Sequence, residues 1–198
     1  MMRLFAILAL ALPLVAQAGD PSNGQAIAGQ TCIACHGTDG NSPLPENPIL
    51  AGQHEAYLLK QLHNYKSGTR ENAIMAGMVA GLSDQDMRDV AAFYASQSPA
   101  GFAATDKDLA ALGQHLFRGG DIDKGVAACS GCHSPNGAGI PKQYPRIASQ
   151  HATYTAGQLK AFRSGQRTND ENEMMRMIAS RLTDDEIAAL AEYLSGLR

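Results

Sequence analysis

Apolar residues in this chain recur mainly at spacings of three and four, the period of a helix that buries one face. Met87, Val90, Ala91 and Tyr94 make one such stripe, and Ile187, Leu190, Ala191 and Leu194 make another. Each stripe follows a residue suited to start a helix: Ser83 and Thr183 are N-cap candidates, and Glu186 completes a capping box with Thr183. The pattern also predicts helices near 23–30, 55–67, 112–117 and 153–164. Stretches rich in Gly, Pro and Asn at 37–48 and 134–145 read as loops, and a further break at 96–105 reads as a linker. No stretch alternates convincingly as a strand, so the predicted fold class is all-α.

The second half of the chain repeats the first. Ala51-Gly-Gln-His54-Glu-Ala-Tyr57 aligns with Ala148-Ser-Gln-His151-Ala-Thr-Tyr154, and Gln61-Leu62 with Gln158-Leu159. Lys66-Ser67-Gly68 matches Arg163-Ser164-Gly165, and Asn72 matches Asn169, all at an offset of 97 residues. Beyond the asparagine the offset becomes 100, as Leu82-Ser83-Asp84 against Leu182-Thr183-Asp184 shows. The second copy therefore carries a three-residue insertion. One helical module is used twice.

Each copy contains a Cys-x-x-Cys-His run: Cys32-Ile-Ala-Cys35-His36 and Cys129-Ser-Gly-Cys132-His133. Positions i, i+3 and i+4 share one face of a helical turn. Both thiols can thus reach one edge of a porphyrin while the histidine lies beneath the iron, the pattern of covalent c-type haem attachment. A redox dithiol or half a zinc site would suit the cysteines alone, but not the adjoining histidine in both copies. These motifs use all four cysteines and leave none for a disulfide. The expected cofactors are two covalently bound haem c.

Composition sharpens this reading. With no tryptophan and only 6% aromatic residues, the polypeptide alone builds a thin core, and a large apolar plate in each half would complete it. A net charge of −3 argues against nucleic acid as a partner. The balance is uneven: residues 19–100 hold four basic and eight acidic side chains, residues 101–198 eleven of each. Arg3, the apolar run at 4–15 and the small residues Ala16-Gln17-Ala18 read as a cleaved export signal, too short and too interrupted by Pro13 to span a bilayer. The expected organisation is a signal peptide at 1–18, a haem domain at 19–97, a linker at 98–105 and a second haem domain at 106–198. Export with two covalent haems points to the periplasm.

The sixth iron ligand decides the function, since methionine closes the iron and an empty position permits catalysis. Met1 and Met2 leave with the signal, and Met87 lies on a core stripe. Counting back from the shared Leu-Ser/Thr-Asp signal, Met75 and Met175 alone occupy equivalent positions. Met78 with Met177 or Met174 remains an alternative set. So does a bis-histidine scheme through the equivalent His54 and His151, although these precede a helix, where a capping role is the plainer account. His63 and His115 have no histidine counterpart and are expected at the surface. The carbonyl of Pro48 or Pro145 is a candidate acceptor for each proximal histidine's ring N–H. Arg70, Arg167, Tyr57, Tyr154, Gln61 and Gln158 are candidate partners for haem propionates.

These residues resemble the cytochrome c4 family, in which two class I cytochrome c domains are fused. The resemblance rests on Cys-x-x-Cys-His-Gly-x-Asp-Gly-Asn-Ser-Pro from Cys32, on Leu50-Ala-Gly-Gln and Tyr57-Leu-Leu-Lys-Gln-Leu, and on Leu82-Ser-Asp-Gln-Asp. In the second half it rests on Leu116-Phe-Arg-Gly-Gly, Ala128-Cys-Ser-Gly-Cys-His-Ser-Pro-Asn-Gly and Arg167-Thr-Asn-Asp. It implies His36 with Met75, and His133 with Met175, as axial ligands of two low-spin haems whose propionate edges face the domain interface. One departure is Met177, where a small residue is expected, so a second thioether lies near Met175. The resemblance further implies electron delivery from the respiratory chain towards a terminal oxidase, and the expected mechanism is a one-electron relay without bond chemistry in a monomeric protein. The sequence leaves open whether the protein stays free or attaches to the membrane through its partners. The same module would also serve as the electron-transfer subunit of a larger dehydrogenase of the flavocytochrome type. A dihaem peroxidase is the enzymatic alternative, and it requires one open iron.

Overall fold

The computed structural model describes residues 18–141 and 144–198. The expected signal segment therefore lies, except for Ala18, outside the described residues. Ten α-helices and one short 3₁₀ turn are described, and extended pairing is limited to two isolated bridges, Asp121 with Val126 and Ile140 with Tyr144. Helices α1 (Pro21–Thr31), α2 (Ile33–His36), α3 (Glu55–Ser67), α4 (Ala73–Val79) and α5 (Asp84–Ala95) form the first half. The second repeats them as α6 (Lys107–Gly119), α7 (Ser130–His133), α8 (Ala152–Ser164), α9 (Met174–Ala179) and α10 (Asp184–Gly196).

The first and last helices of each half pack closely, because a glycine removes the side chain where their backbones meet. A methyl group on Gly24 would lie 2.0 Å from the Asp89 carbonyl oxygen, and one on Gly113 would lie 2.0 Å from that of Ala189. Around the first crossing Ala28, Leu58, Val90, Ala91, Phe93 and Tyr94 are buried. Around the second, Leu116, Phe117, Ile187, Leu190 and Leu194 are buried with Val126 and Leu182. Removing each of the valine, leucine, isoleucine and phenylalanine side chains from water stabilises the fold by roughly 1.5–3 kcal/mol. Asp89 is buried on the first crossing but fully partnered: it accepts from Asp20 N at 2.8 Å, Asn23 at 2.5 Å and Gln85 at 2.7 Å.

Helix starts follow the sequence closely. Ser83 and Thr183 both cap, and Ser83 also forms a capping box with Asp86, which the sequence reading saw only for Thr183 and Glu186. Helix α6 begins at Lys107, five residues before the predicted start, because Asp106 caps it by accepting from Asp108 N and Leu109 N. Between α5 and α6 the chain has no helix, yet it is tied down. Asn41 donates to Ser98 O and accepts from Ala100 N, while the Glu192 carboxylate accepts from Thr105 and from Asp106 N.

Gly24→Ala and Gly113→Ala should each destabilise the haem-loaded protein by about 2 kcal/mol, because backbone must move at the crossing. Denaturant unfolding checks this, and Gly29→Ala, whose Cβ meets nothing within 4 Å, should lack the effect.

Candidate cofactor site

Each attachment motif forms a single helical turn. In α2 the His36 N–H donates to Cys32 O at 3.0 Å, and in α7 the His133 N–H donates to Cys129 O at 2.9 Å. The chain then leaves the helix at positive φ, through Gly37 (77°) in one half and Ser134 (67°) in the other. The left-handed excursion is strained for serine, whose hydroxyl donates to Gly139 O at 2.8 Å. The four cysteines form no disulfide, and the first of each pair is half-buried while the second is exposed. Burial pushes the thiol of Cys129 up to about 11 and raises that of Cys32 in the same direction.

Both motif histidines are buried, and both have one ring nitrogen engaged. His36 Nδ1 lies 3.1 Å from Pro48 O, and His133 Nδ1 lies 2.9 Å from Pro145 O. A carbonyl can only accept, so each Nδ1 carries the proton and each Nε2 is left with a bare lone pair. Burial lowers the pKa of both imidazoles, outweighing the opposing effect of the proline carbonyl. These are the properties of a metal-ligating histidine with its orientation fixed from behind.

The two histidines open onto one continuous cavity of about 860 Å³, walled by both halves. All four motif cysteines line it, as do Met75, Met78, Met174, Met175 and Met177. Met75 and Met175 are half-buried, whereas Met78 is 44% and Met177 51% exposed. Met174 is half-buried too, but its sulfur lies 3.8 Å from the Tyr144 hydroxyl. His54 and His151 do not line the cavity. The capping role expected for them is only positional: both stand at the N-cap, but neither side chain makes a capping bond. His151 Nε2 instead donates to Ser42 O of the other half at 2.8 Å, and its ring stacks on Phe102. His115 is exposed as expected, while His63 is half-buried, 3.8 Å from Asp84.

Between the halves lies a polar network that also faces the cavity. Arg70 donates to Gln61 (2.8 Å), Gln158 (2.7 Å) and Tyr154 (3.1 Å). Arg167 donates to Gln158 (2.8 Å), Tyr57 (2.9 Å) and Asn169 (3.0 Å). Two guanidiniums, 7% and 8% exposed, are thus buried together with neutral partners and no carboxylate among the described residues. Buried charge of one sign demands anionic counter-groups. Arg146 Nε adds a buried donor atom without a partner on the cavity wall. Two haems, each bringing an apolar plate and two carboxylates, match the cavity's thiols, bare imidazole nitrogens and uncompensated cations. The residues present fit the group.

The sequence reading missed Gln53, Gln150 and Asn64 as interface residues, although both glutamines stood inside the aligned repeat. Asn169 donates to Gln61 and Asn64 across the interface, whereas its repeat partner Asn72 caps α4 by accepting from Met75 N at 2.9 Å. The insertion explains this divergence. Residues Glu171–Glu173 form an extra 3₁₀ turn, with Asn172 and Glu173 at positive φ, and Asp170 takes over at the start of α9 by accepting from Arg176 N.

The family model described as cytochrome c matches this chain twice, at residues 21–98 and 110–198. A cytochrome c4 of Pseudomonas aeruginosa is 51% identical over 91% of this chain and 90% of its own length. The crystal structure of reduced recombinant cytochrome c4 from Pseudomonas stutzeri superposes with a TM-score of 0.88 at 47% identity, covering 91% of this chain and all of that one. A thiosulfate dehydrogenase electron acceptor of Stutzerimonas stutzeri is 37% identical over 96% of this chain and 92% of its own length.

Arg167→Leu should cost about 2–4 kcal/mol by stranding Tyr57, Gln158 and Asn169 at a buried interface. Denaturant unfolding of the haem-loaded protein measures it, with faster proteolysis at 98–105 as the accompanying sign that the halves separate.

Proposed function

The chain belongs to the cytochrome c4 family of dihaem electron-transfer proteins, and on that premise we propose that it carries single electrons as a relay with both irons closed by histidine and methionine. Two covalent haem c groups, when bound, supply two one-electron couples. Cys32 and Cys35 would hold one group and Cys129 and Cys132 the other, with His36 and Met75, and His133 and Met175, as axial ligands. The observation that carries this reading is the single cavity shared by both halves. A bare imidazole nitrogen opens onto it from each half, together with one half-buried thioether at equivalent places in the repeat. Arg70 and Arg167 would neutralise the haem carboxylates at the interface.

Export to the periplasm follows from residues 1–18, with cleavage after Ala18 and a linker at 98–105 joining domains at 19–97 and 106–198. No described helix is long and apolar enough to cross a membrane. Delivery of electrons from a respiratory donor towards a terminal oxidase is the preferred role. A second reading, service as the acceptor of a dehydrogenase, is favoured by the relative that carries that name. Reduction of the purified protein by thiosulfate and its dehydrogenase, at a rate that supports turnover, would favour the second role. Fast oxidation by a terminal oxidase without such reduction would favour the first.

Met75→Ala and Met175→Ala should each remove about half of the weak long-wavelength absorption of iron–methionine bonding and let one ferrous haem bind carbon monoxide. Met78→Ala and Met177→Ala should leave both unchanged. Loss of the band in the second pair instead would move the ligand assignment.

A further inference from the structure

The interface holds a reciprocal pair of contacts that the electron-carrier reading does not use. Gln150 of the second half accepts a hydrogen bond from Ile49 N of the first at 2.8 Å and donates to Ile49 O at 3.1 Å. Gln53 of the first half accepts from Arg146 N of the second at 2.9 Å and donates to Arg146 O at 2.9 Å. Both glutamines are buried, 9% and 7% exposed, and Ile49 is 5% exposed. Each carboxamide oxygen is also held by the next residue's N–H, at 3.0 Å in both copies. Because each carboxamide donates and accepts on one residue, exchanging its nitrogen and oxygen would break both bonds, which fixes its orientation.

The residues grasped in this way are not arbitrary. The N–H of Ile49 belongs to the same peptide group as the carbonyl of Pro48, which accepts the ring N–H of His36. The N–H of Arg146 likewise shares a peptide group with the carbonyl of Pro145, which accepts from His133. Two chains of hydrogen bonds therefore run through single peptide groups and across the interface, from His36 to Gln150 and from His133 to Gln53. Donation from a peptide N–H polarises that peptide's carbonyl and makes it a stronger acceptor. A stronger acceptor behind the imidazole raises its basicity, and greater donation to the metal favours the oxidised iron.

We infer that Gln53 and Gln150 are crossed positioning residues: each half's glutamine sets the proximal histidine, and with it the reduction potential, of the haem in the other half. The inference rests on the dihaem reading above. It makes the two potentials a property of the docked pair of domains, so that any partner that loosens the interface shifts both.

The test replaces each glutamine by leucine in the haem-loaded protein. It follows both couples by redox titration with the haem methyl resonances assigned to each half, and reads the Nδ1 resonances of ¹⁵N-labelled His36 and His133. Gln150→Leu should favour reduction of the haem in the first half by about threefold in its equilibrium constant, less than loss of a direct ligand partner would give. It should move the His36 Nδ1 signal and leave that of His133 in place. Gln53→Leu should do the reverse, and it serves if the first variant does not fold. A change confined to the variant's own half, an equal change in both, or unmoved Nδ1 signals would overturn the inference. Native protein without two reversible couples would instead overturn the dihaem reading itself.

Discussion

The structure depends on one shared space that the polypeptide cannot fill by itself. Two small helical halves, poor in aromatic residues, wall a cavity of about 860 Å³. They commit two buried guanidiniums to its wall without a balancing carboxylate among the described residues. Either feature alone would make the fold costly, since buried like charges and unfilled apolar volume both destabilise. Together they describe a protein whose core is completed by a ligand that is apolar in its body and doubly anionic at one edge. The attachment cysteines tether that ligand, so the missing part of the core cannot diffuse away.

The repeat is symmetric where the cofactor demands it and asymmetric around the insertion and the linker. Motif turn, proline carbonyl, interface glutamine, arginine and tyrosine recur with matching contacts. Departures cluster around the three-residue insertion, where an extra turn and Asp170 start α9 and free Asn169 to cross the interface. His151 and His54 differ for a related reason. The linker brings Phe102 against one of them, and Ser42 supplies a carbonyl only there. The protein therefore holds two nearly equivalent sites in two unequal surroundings.

Much of this was legible in the sequence, because it is written in local chemistry. Helical stripes, N-caps and the Cys-x-x-Cys-His turns involve residues within a few positions of one another, and the proline acceptors follow from loops of equal length in both copies. The start of α6 was set too late because its first turn carries charged residues around the Asp106 cap rather than an apolar stripe. The role of His151 and the reach of Gln53, Gln150, Asn64 and Asn169 were not legible. Their partners lie in the other half, and no periodicity in one strand of sequence records a contact between two modules. Repetition of the glutamines marked them as mattering but not for what.

The most direct test of the central claim is an anaerobic redox titration of the native protein followed optically from the main bands to the weak iron–methionine absorption. The account predicts two resolved one-electron steps at positive potentials, with the long-wavelength band at two-haem intensity in the oxidised protein. A band of single-haem intensity, or a high-spin or strongly negative component, would contradict it and leave one iron open to chemistry of its own.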